Sequence, residues 1–407
     1  MSATNALLPG VDADGRRLVA TRAIRSLGDG FASVALAAYL SERGFNAFEI
    51  GLLVTVALFG KSVATLIAGF VVDHFGRRRT LMAGSLLVSA SGVAFALAEP
   101  YWLLLVVAFF GTMSPSAGDF SLFQPVEQAS LATTTETSRR TWVYARYTLF
   151  GSLAFAFGSL ASGAAGPIAD ATGVDLPTVL RWAFAIYGLS GIAMLATYHP
   201  LSPAVELETG NRAPRGRLRE SRGTVFRLSG LFAVDAFGGG LAVQAVMAVW
   251  LFERFGLSLE EAALIFFAAR MLSTFTLLLA PPITARIGII ETMAYAHLPA
   301  NLALMGAPLL PTLPLVLVAL FVRQALSPID IAPRTTLIVS VVSPEERAPA
   351  ASVTNVVRTL SAAASPALGG ALLAVGPWGL PLLVGGALKA GYDAALLVVF
   401  RRVQLRD

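Results

Sequence analysis

Apolar residues run through this chain in twelve stretches, near 18–41, 47–72, 80–98, 101–126, 141–166, 178–198, 224–252, 259–284, 288–310, 313–341, 349–375 and 378–400. Each is long enough to read as one helix across a bilayer, because about 20 apolar residues rising 1.5 Å each span the hydrocarbon. The polar interruptions are short and carry helix breakers: Glu99-Pro100, Pro167, Pro200, Pro311 with Pro314, and Gly376-Pro377. One interruption is longer. Ser202–Gly223 holds Arg212, Arg215, Arg217, Arg219 and Arg222 and divides six stretches from six. The pattern therefore predicts a six-helix bundle over 18–200, a linker over 201–223 and a second six-helix bundle over 224–400, with tails at 1–17 and 401–407. Met1–Asp14 is polar and lacks the layout of a cleavable signal, so an uncleaved tail is expected.

Composition agrees with the pattern. Hydrophobic residues make up 56% of the 407, charged residues 14%, and mean hydropathy is +0.70, values that place the chain in a lipid bilayer. The net charge of +5 would suggest nucleic acid for a soluble chain, but here it sits in loops. Arg16 and Arg17, Arg77 to Arg79, Arg139 and Arg140, the linker arginines, Arg286, Arg347, and Arg401, Arg402 and Arg406 all fall on one side of the predicted spans. Only Arg43 and Arg254, with Arg181 at a boundary, fall on the other. Arginine-rich short loops stay cytoplasmic, which puts both termini inside and predicts a multi-pass protein of the plasma (inner) membrane, with no nucleic-acid partner. There is no cysteine, so neither disulfides nor thiolate metal sites exist.

Between the second and third stretches the chain reads Gly69-Phe70-Val71-Val72-Asp73-His74-Phe75-Gly76-Arg77-Arg78-Arg79. This G-x-x-x-D-x-x-G-R-R-R turn resembles motif A of the major facilitator superfamily, with Gly69, Asp73, Gly76, Arg77 and Arg78 matching and His74 standing for the usual basic residue. The resemblance implies twelve helices in two pseudo-symmetric bundles, with substrate held between the halves and reached by alternating access. It also implies a cytoplasmic gate, in which Asp73 caps or pairs near a helix of the other half while the glycines let the hairpin pack closely.

An internal repeat supports the same plan. Tyr39-Leu40-Ser41-Glu42-Arg43 recurs as Trp250-Leu251-Phe252-Glu253-Arg254; Glu49, Gly76 and Arg146 meet Glu261, Gly288 and Arg358 at a shift of 212, and Ser114-Pro115 meets Ser327-Pro328 at 213. A constant offset across most of a half indicates two parallel repeats. In the second, the motif decays to Thr284-Ala285-Arg286-Ile287-Gly288 without the aspartate.

Ionisable residues inside spans are unfavourable by roughly 2.5–3.5 kcal/mol each and normally face protein. Counting along each helix places Asp29, Lys61, Asp235, Arg270, Arg323 and Arg358 near mid-membrane, and Asp119 and Asp330 nearer the cytoplasmic end. Asp235, alone on the seventh span, and Asp29 are the expected proton-coupling sites, because a lone buried carboxylate titrates near neutrality. Lys61, Arg146, Arg270, Arg323, Arg358, Asp119 and Asp330 are the expected cavity residues. Lys389 and Asp393, four apart on the last span, are expected to neutralise each other. Arg25 and Asp29 share that spacing, and Arg323, Asp330 and Arg334 form a stripe along the tenth span. Small-residue ladders follow on the fifth and eleventh spans, Gly151, Gly158, Gly163, Gly166-Pro167 and Ser361, Ser365-Pro366, Gly369-Gly370, and predict close helix packing. The first of these loosely resembles motif C of drug:proton antiporters, but the fourth span offers Asp119, Gln124 and Glu127 in place of those antiporters' arginine.

No phosphate loop, nucleophile cluster or soluble domain is present, which argues against an ATP-driven pump or an enzyme. His74, His199 and His297 are scattered, so no metal site and no cofactor is expected. The sequence thus predicts a monomeric secondary transporter whose partners are a small-molecule substrate, protons and the lipid bilayer, with proton-coupled export of an organic molecule as the leading mode. Anion transport or exchange is the alternative, and a non-transporting receptor or scaffold the alternative of another class.

Overall fold

A computed structural model describes residues 11–111, 113, 122–136, 139–206, 218–376 and 378–400, and within them everything but the side chain of Asp73. Among these residues the secondary structure is helical throughout. Nine helical segments among the described residues are long and apolar enough to cross a membrane: Ala47–Val72, Arg77–Leu97, Arg140–Thr172, Leu176–Tyr198, Arg222–Phe255, Leu259–Ile287, Leu313–Ser340, Pro344–Ala374 and Leu380–Phe400. The other three spans are helical too. Ala13–Glu42 carries a charged first half, Ile289–Gly306 is made more polar by Glu291, His297 and Asn301, and the fourth is described as two pieces, Tyr101–Phe110 and Phe123–Thr134. The fold is the twelve-helix architecture that the apolar runs predict.

Several boundaries differ, each for a local reason. The first helix starts five residues early because Asp12 caps it, accepting the Gly15 N–H at 2.7 Å. Its opening turn is tied down as well: Arg17 Nη1 donates to Pro200 O at 2.8 Å, and Asp14 accepts from Ser202 N at 3.1 Å. The fourth span runs on to Thr134, eight residues past its expected end, and so takes Glu127 inside. The seventh breaks between Leu241 and Gln244 after its glycine triplet, and the tenth breaks at Ser327–Asp330, where Pro328 has no N–H to continue the helix.

The helices cluster into two compact units, one formed by Met1–Gly44, Val56–Arg212 and Ser258–Phe267, the other by Phe45–Thr55, Ala213–Leu257 and Ala268–Asp407. In the first, the first and fifth spans approach until a methyl group on Gly158 would lie 1.9 Å from Leu27 O, so only glycine fits there. Ser159 Oγ crosses the same contact to Gly30 O at 3.1 Å, and Tyr39, Phe95 and Phe184 form an aromatic core with centroids 4.8–5.8 Å apart. In the second, the seventh and eleventh spans meet in the same way, a methyl on Gly369 falling 2.3 Å from Leu241 O. Phe232, Tyr392, Leu396 and Phe400 fill one end of that unit. The ladders expected to be packing surfaces are packing surfaces.

The repeat is legible atom by atom. Asn46 N–H donates to Glu49 Oε2 at 2.8 Å and Glu49 N–H to Asn46 Oδ1 at 3.0 Å; Ser258 and Glu261 repeat both bonds at 2.9 and 3.2 Å, two capping boxes 212 residues apart. Arg43 stacks 5.4 Å over Tyr39 and donates to Ala98 O, while Arg254 stacks 5.4 Å over Trp250 and donates to Pro308 O and Leu310 O.

Candidate functional site

Charged side chains inside the second unit converge from four spans. Asp235 on the seventh span is 2% exposed and forms an ion pair with Lys389 of the twelfth. Its other oxygen stands 3.7 Å from Arg334 Nη1 of the tenth, and Arg334 is also paired with Asp330 one turn before it. His297, from the ninth span, sits among these groups. Its Nδ1 lies 3.0 Å from Asp393 Oδ1 and 4.0 Å from Asp235 Oδ1, and its Nε2 lies 4.0 Å from Asp330 Oδ2. Asn301, one turn on, donates to Asp393 Oδ2 at 2.8 Å. In a low-dielectric interior an unpaired charge is costly, and each carboxylate here has at least one partner.

This arrangement corrects three readings of the sequence. Asp235 is not a lone carboxylate, since bases on two other helices engage it. Lys389 turns to Asp235 rather than to Asp393, and Asp393 is held by His297 and Asn301. Of the tenth-span stripe only Asp330 and Arg334 pair; Arg323 donates to its neighbour Gln324 at 2.6 Å. The Nε atoms of Arg323 and Arg358 are buried without a hydrogen-bond partner among the described residues.

The first unit has its own buried carboxylate, and the sequence did not single it out as a site. Glu127, fully buried, accepts from Arg25 Nη2 at 2.8 Å, from Tyr198 OH at 2.6 Å, from Thr21 Oγ1 at 3.3 Å and from the Tyr147 hydroxyl. Arg25 thus finds its ion-pair partner on the fourth span instead of resting on Asp29 alone. The available signal was weak: a glutamate one residue past the expected end of the fourth span. Asp29 and Lys61 are both buried in this unit, and Arg146 stacks 5.0 Å over Trp142. Arg270, of the second unit, is half-buried. Asp119 lies outside the described residues.

At the motif turn, Gly76 has φ +85° and opens the third span. The helix start is capped from a distance by Glu206, whose two oxygens accept the N–H groups of Arg77 and Arg78. The Arg77 guanidinium is buried and donates to Val205 O at 3.0 Å and Ala129 O at 3.1 Å, so it staples three segments together. Arg78, Arg79, His74, His199 and Glu206 line an open cavity of about 630 Å³ beside this turn. Close packing at both glycines is not what the structure has: a methyl group on Gly69 would meet nothing within 4 Å. The Asp73 side chain, on which the expected gate depends, lies outside the described set.

Twelve helices in a repeated six-plus-six order, with paired charges buried inside each unit, define a polytopic helical membrane protein of the transporter class. The chain belongs to the Major Facilitator Superfamily, whose family model matches residues 18–366. It is similar to the uncharacterized membrane protein YJR124C of Saccharomyces cerevisiae, 23% identical over 94% of this chain and 93% of that one. Among solved structures it is similar to a bacterial homologue of the human lysosomal transporter Spinster, at TM-score 0.74 and 16% identity over 95% of this chain and 96% of the other. It is similar also to a D-xylose-proton symporter, at TM-score 0.71 and 14% identity over 96% and 98%. The family's members are transporters rather than enzymes.

Proposed function

We propose that this protein is a secondary active transporter that couples export of a small organic molecule to the movement of protons. The observation that carries the reading is the Asp235–Lys389–Arg334 set: carboxylate and bases from three helices, buried together where a passive scaffold would be more stable with apolar side chains. A carboxylate whose bases sit on other helices is released or re-paired when those helices shift, so its affinity for a proton follows conformation. Asp235 and, in the first unit, Asp29 are the coupling residues in this reading. Lys61, Arg146, Arg270, Arg323, Arg358, Asp119 and Asp330 face substrate or set its charge preference. Asp73, with Gly69, Gly76, Arg77 and Arg78, forms the gate. The protein works as a monomer in the plasma (inner) membrane with both termini in the cytoplasm, as its arginine distribution favours.

The test is transport in proteoliposomes under an imposed pH gradient, with a panel of cationic, neutral and anionic solutes. A proton-coupled carrier accumulates its solute only with the gradient, and Asp235→Asn should lose accumulation while still exchanging solute across the membrane. If no solute moves under any gradient, the receptor or scaffold reading replaces this one. A second reading, anion exchange, is favoured by the Nε atoms of Arg323 and Arg358, which have no hydrogen-bond partner among the described residues, since guanidinium forks suit carboxylate or phosphate. Gradient-independent exchange of an anion, surviving Asp235→Asn and Asp29→Asn, would establish it instead.

A further inference from the structure

We propose that the open cavity beside the motif turn of the first unit is a binding site for a phosphate monoester, a ligand distinct from the transported solute. The cavity measures about 630 Å³, which is within the range of small-molecule sites and more room than a bare phosphate ion fills. Its walls come from two segments far apart in sequence, the turn from Val72 to Met82 and the stretch from His199 to Glu206. Arg78, Arg79, His74 and His199 make one side basic, while Phe75 and Met82 make another apolar. Such a combination suits a molecule with a phosphate at one end and a larger body at the other. Guanidinium forks pair with phosphate oxygens through two parallel N–H···O bonds, and a monoester brings close to two negative charges at neutral pH.

The two arginines are free to take such a ligand. Arg77, their neighbour, donates its guanidinium to Val205 O and Ala129 O and is used by the fold. Arg78 and Arg79 make no side-chain hydrogen bond or ion pair among the described residues, and Arg78 Nε is buried without a partner. Glu206, the acid in the wall, gives its two oxygens to the backbone N–H groups of Arg77 and Arg78, so it leaves both guanidiniums to another anion. Counted over both segments, Arg77, Arg78 and Arg79 outnumber Asp73 and Glu206 even with the histidines neutral. The second repeat shows that the turn forms without these bases. At the shift of 212, Gly288 has φ +98° where Gly76 has φ +85°, and each opens the helix that follows. Yet Ile289, Ile290 and Glu291 stand there in place of Arg77, Arg78 and Arg79. The same backbone is built with no basic side chain at the three positions, so Arg78 and Arg79 serve something other than the turn.

Isothermal titration of the purified full chain in detergent tests the site with three probes: AMP, its phosphate-free analogue adenosine, and dihexanoyl phosphatidic acid, a lipid that is itself a phosphate monoester. The expected result is saturable binding of at least one monoester and none of adenosine, with affinity about tenfold or more weaker in Arg78→Gln and in Arg79→Gln. Binding of AMP upholds the site as one for a soluble ligand, and binding of phosphatidic acid alone upholds it as one for a lipid headgroup. Adenosine bound as tightly as AMP, or no binding of either monoester, overturns the proposal. So does an affinity that Arg79→Gln leaves unchanged. Arg79 is exposed, so that variant should melt where the native chain does without ligand, and it decides the matter should Arg78→Gln fail to fold. No gradient or transported solute enters the titration, so its outcome is independent of the transport reading.

Discussion

Glu206 holds the start of the third span by its backbone: its carboxylate oxygens accept the Arg77 N–H at 2.6 Å and the Arg78 N–H at 3.1 Å across some 129 residues of sequence. The first turn of a helix leaves four N–H groups without partners, and Gly76 has no side chain to offer them. A carboxylate there gains from the bonds and from the helix dipole. Glu206→Ala should therefore destabilise the protein by about 1–2 kcal/mol. Glu206→Gln, which keeps one amide oxygen as acceptor, should cost less. Thermal unfolding in detergent measures the difference, and faster hydrogen exchange at the amides of Arg77 and Arg78 localises it. Unchanged exchange in Glu206→Ala would show that the cap contributes nothing.

The two glycines of the same turn should respond oppositely to an added methyl group. Gly76 combines φ +85° with a carboxylate oxygen 2.9 Å from where Cβ would stand, so Gly76→Ala should lose about 1–3 kcal/mol and loosen the Glu206 cap. Gly69 lies in regular helix with open space around it, and Gly69→Ala should be neutral or gain about 0.5–1 kcal/mol. Melting temperatures of the two single variants decide the point. Equal losses would mean that a partner closes on Gly69 in another conformation, as the motif's resemblance implies.

How far the sequence could be read differs between backbone and buried charge. The apolar runs located the helices because lipid demands about 20 apolar residues per crossing, and the 212-residue offset found repeats whose capping boxes coincide bond for bond. Spacing along one helix failed to choose partners. Lys389 and Asp393 are one turn apart, yet each is drawn to a neighbouring helix, because in low dielectric a charge takes the geometry that satisfies most of its bonds. No local pattern could announce that His297 sits among three acids, since these come from the seventh, tenth and twelfth spans. Glu127 was missed for a related reason: its partners Arg25, Tyr147 and Tyr198 lie on three other spans.

Glu127 should prove the most sensitive position of the first unit. It is fully buried, and its carboxylate forms an ion pair with Arg25 and accepts two tyrosine hydroxyls. Glu127→Gln strips a buried guanidinium of one of its counter-charges and should destabilise by about 3 kcal/mol. Tyr198→Phe removes one bond to a charged acceptor and should cost about 1.5–3 kcal/mol. Unfolding midpoints in detergent rank the two. If Tyr198→Phe proved the more damaging, aromatic packing rather than charge would hold this site.

Lys389 and Asp235 are predicted to behave as a pair whose separate removal is worse than joint removal. Lys389→Met strips Asp235 of its shortest contact and leaves it Arg334 at 3.7 Å, so the loss should sit near the lower end of the 3–5 kcal/mol typical of a broken buried pair, about 3 kcal/mol. Asp235→Asn exposes the opposite imbalance: Lys389 keeps a long bond to the Asp235 backbone oxygen at 3.5 Å, while Arg334 retains Asp330. The double variant Asp235→Asn with Lys389→Met removes one charge of each sign and should lose clearly less stability than the two single changes summed, a coupling of roughly 1–3 kcal/mol in a double-mutant cycle. Thermal or denaturant unfolding of the four proteins supplies the cycle. The same four proteins in proteoliposomes separate structure from transport: the double variant should stay folded yet be unable to accumulate solute against a pH gradient. Additive losses in stability would show that the two side chains do not depend on each other, and full accumulation in the double variant would remove Asp235 from the coupling machinery.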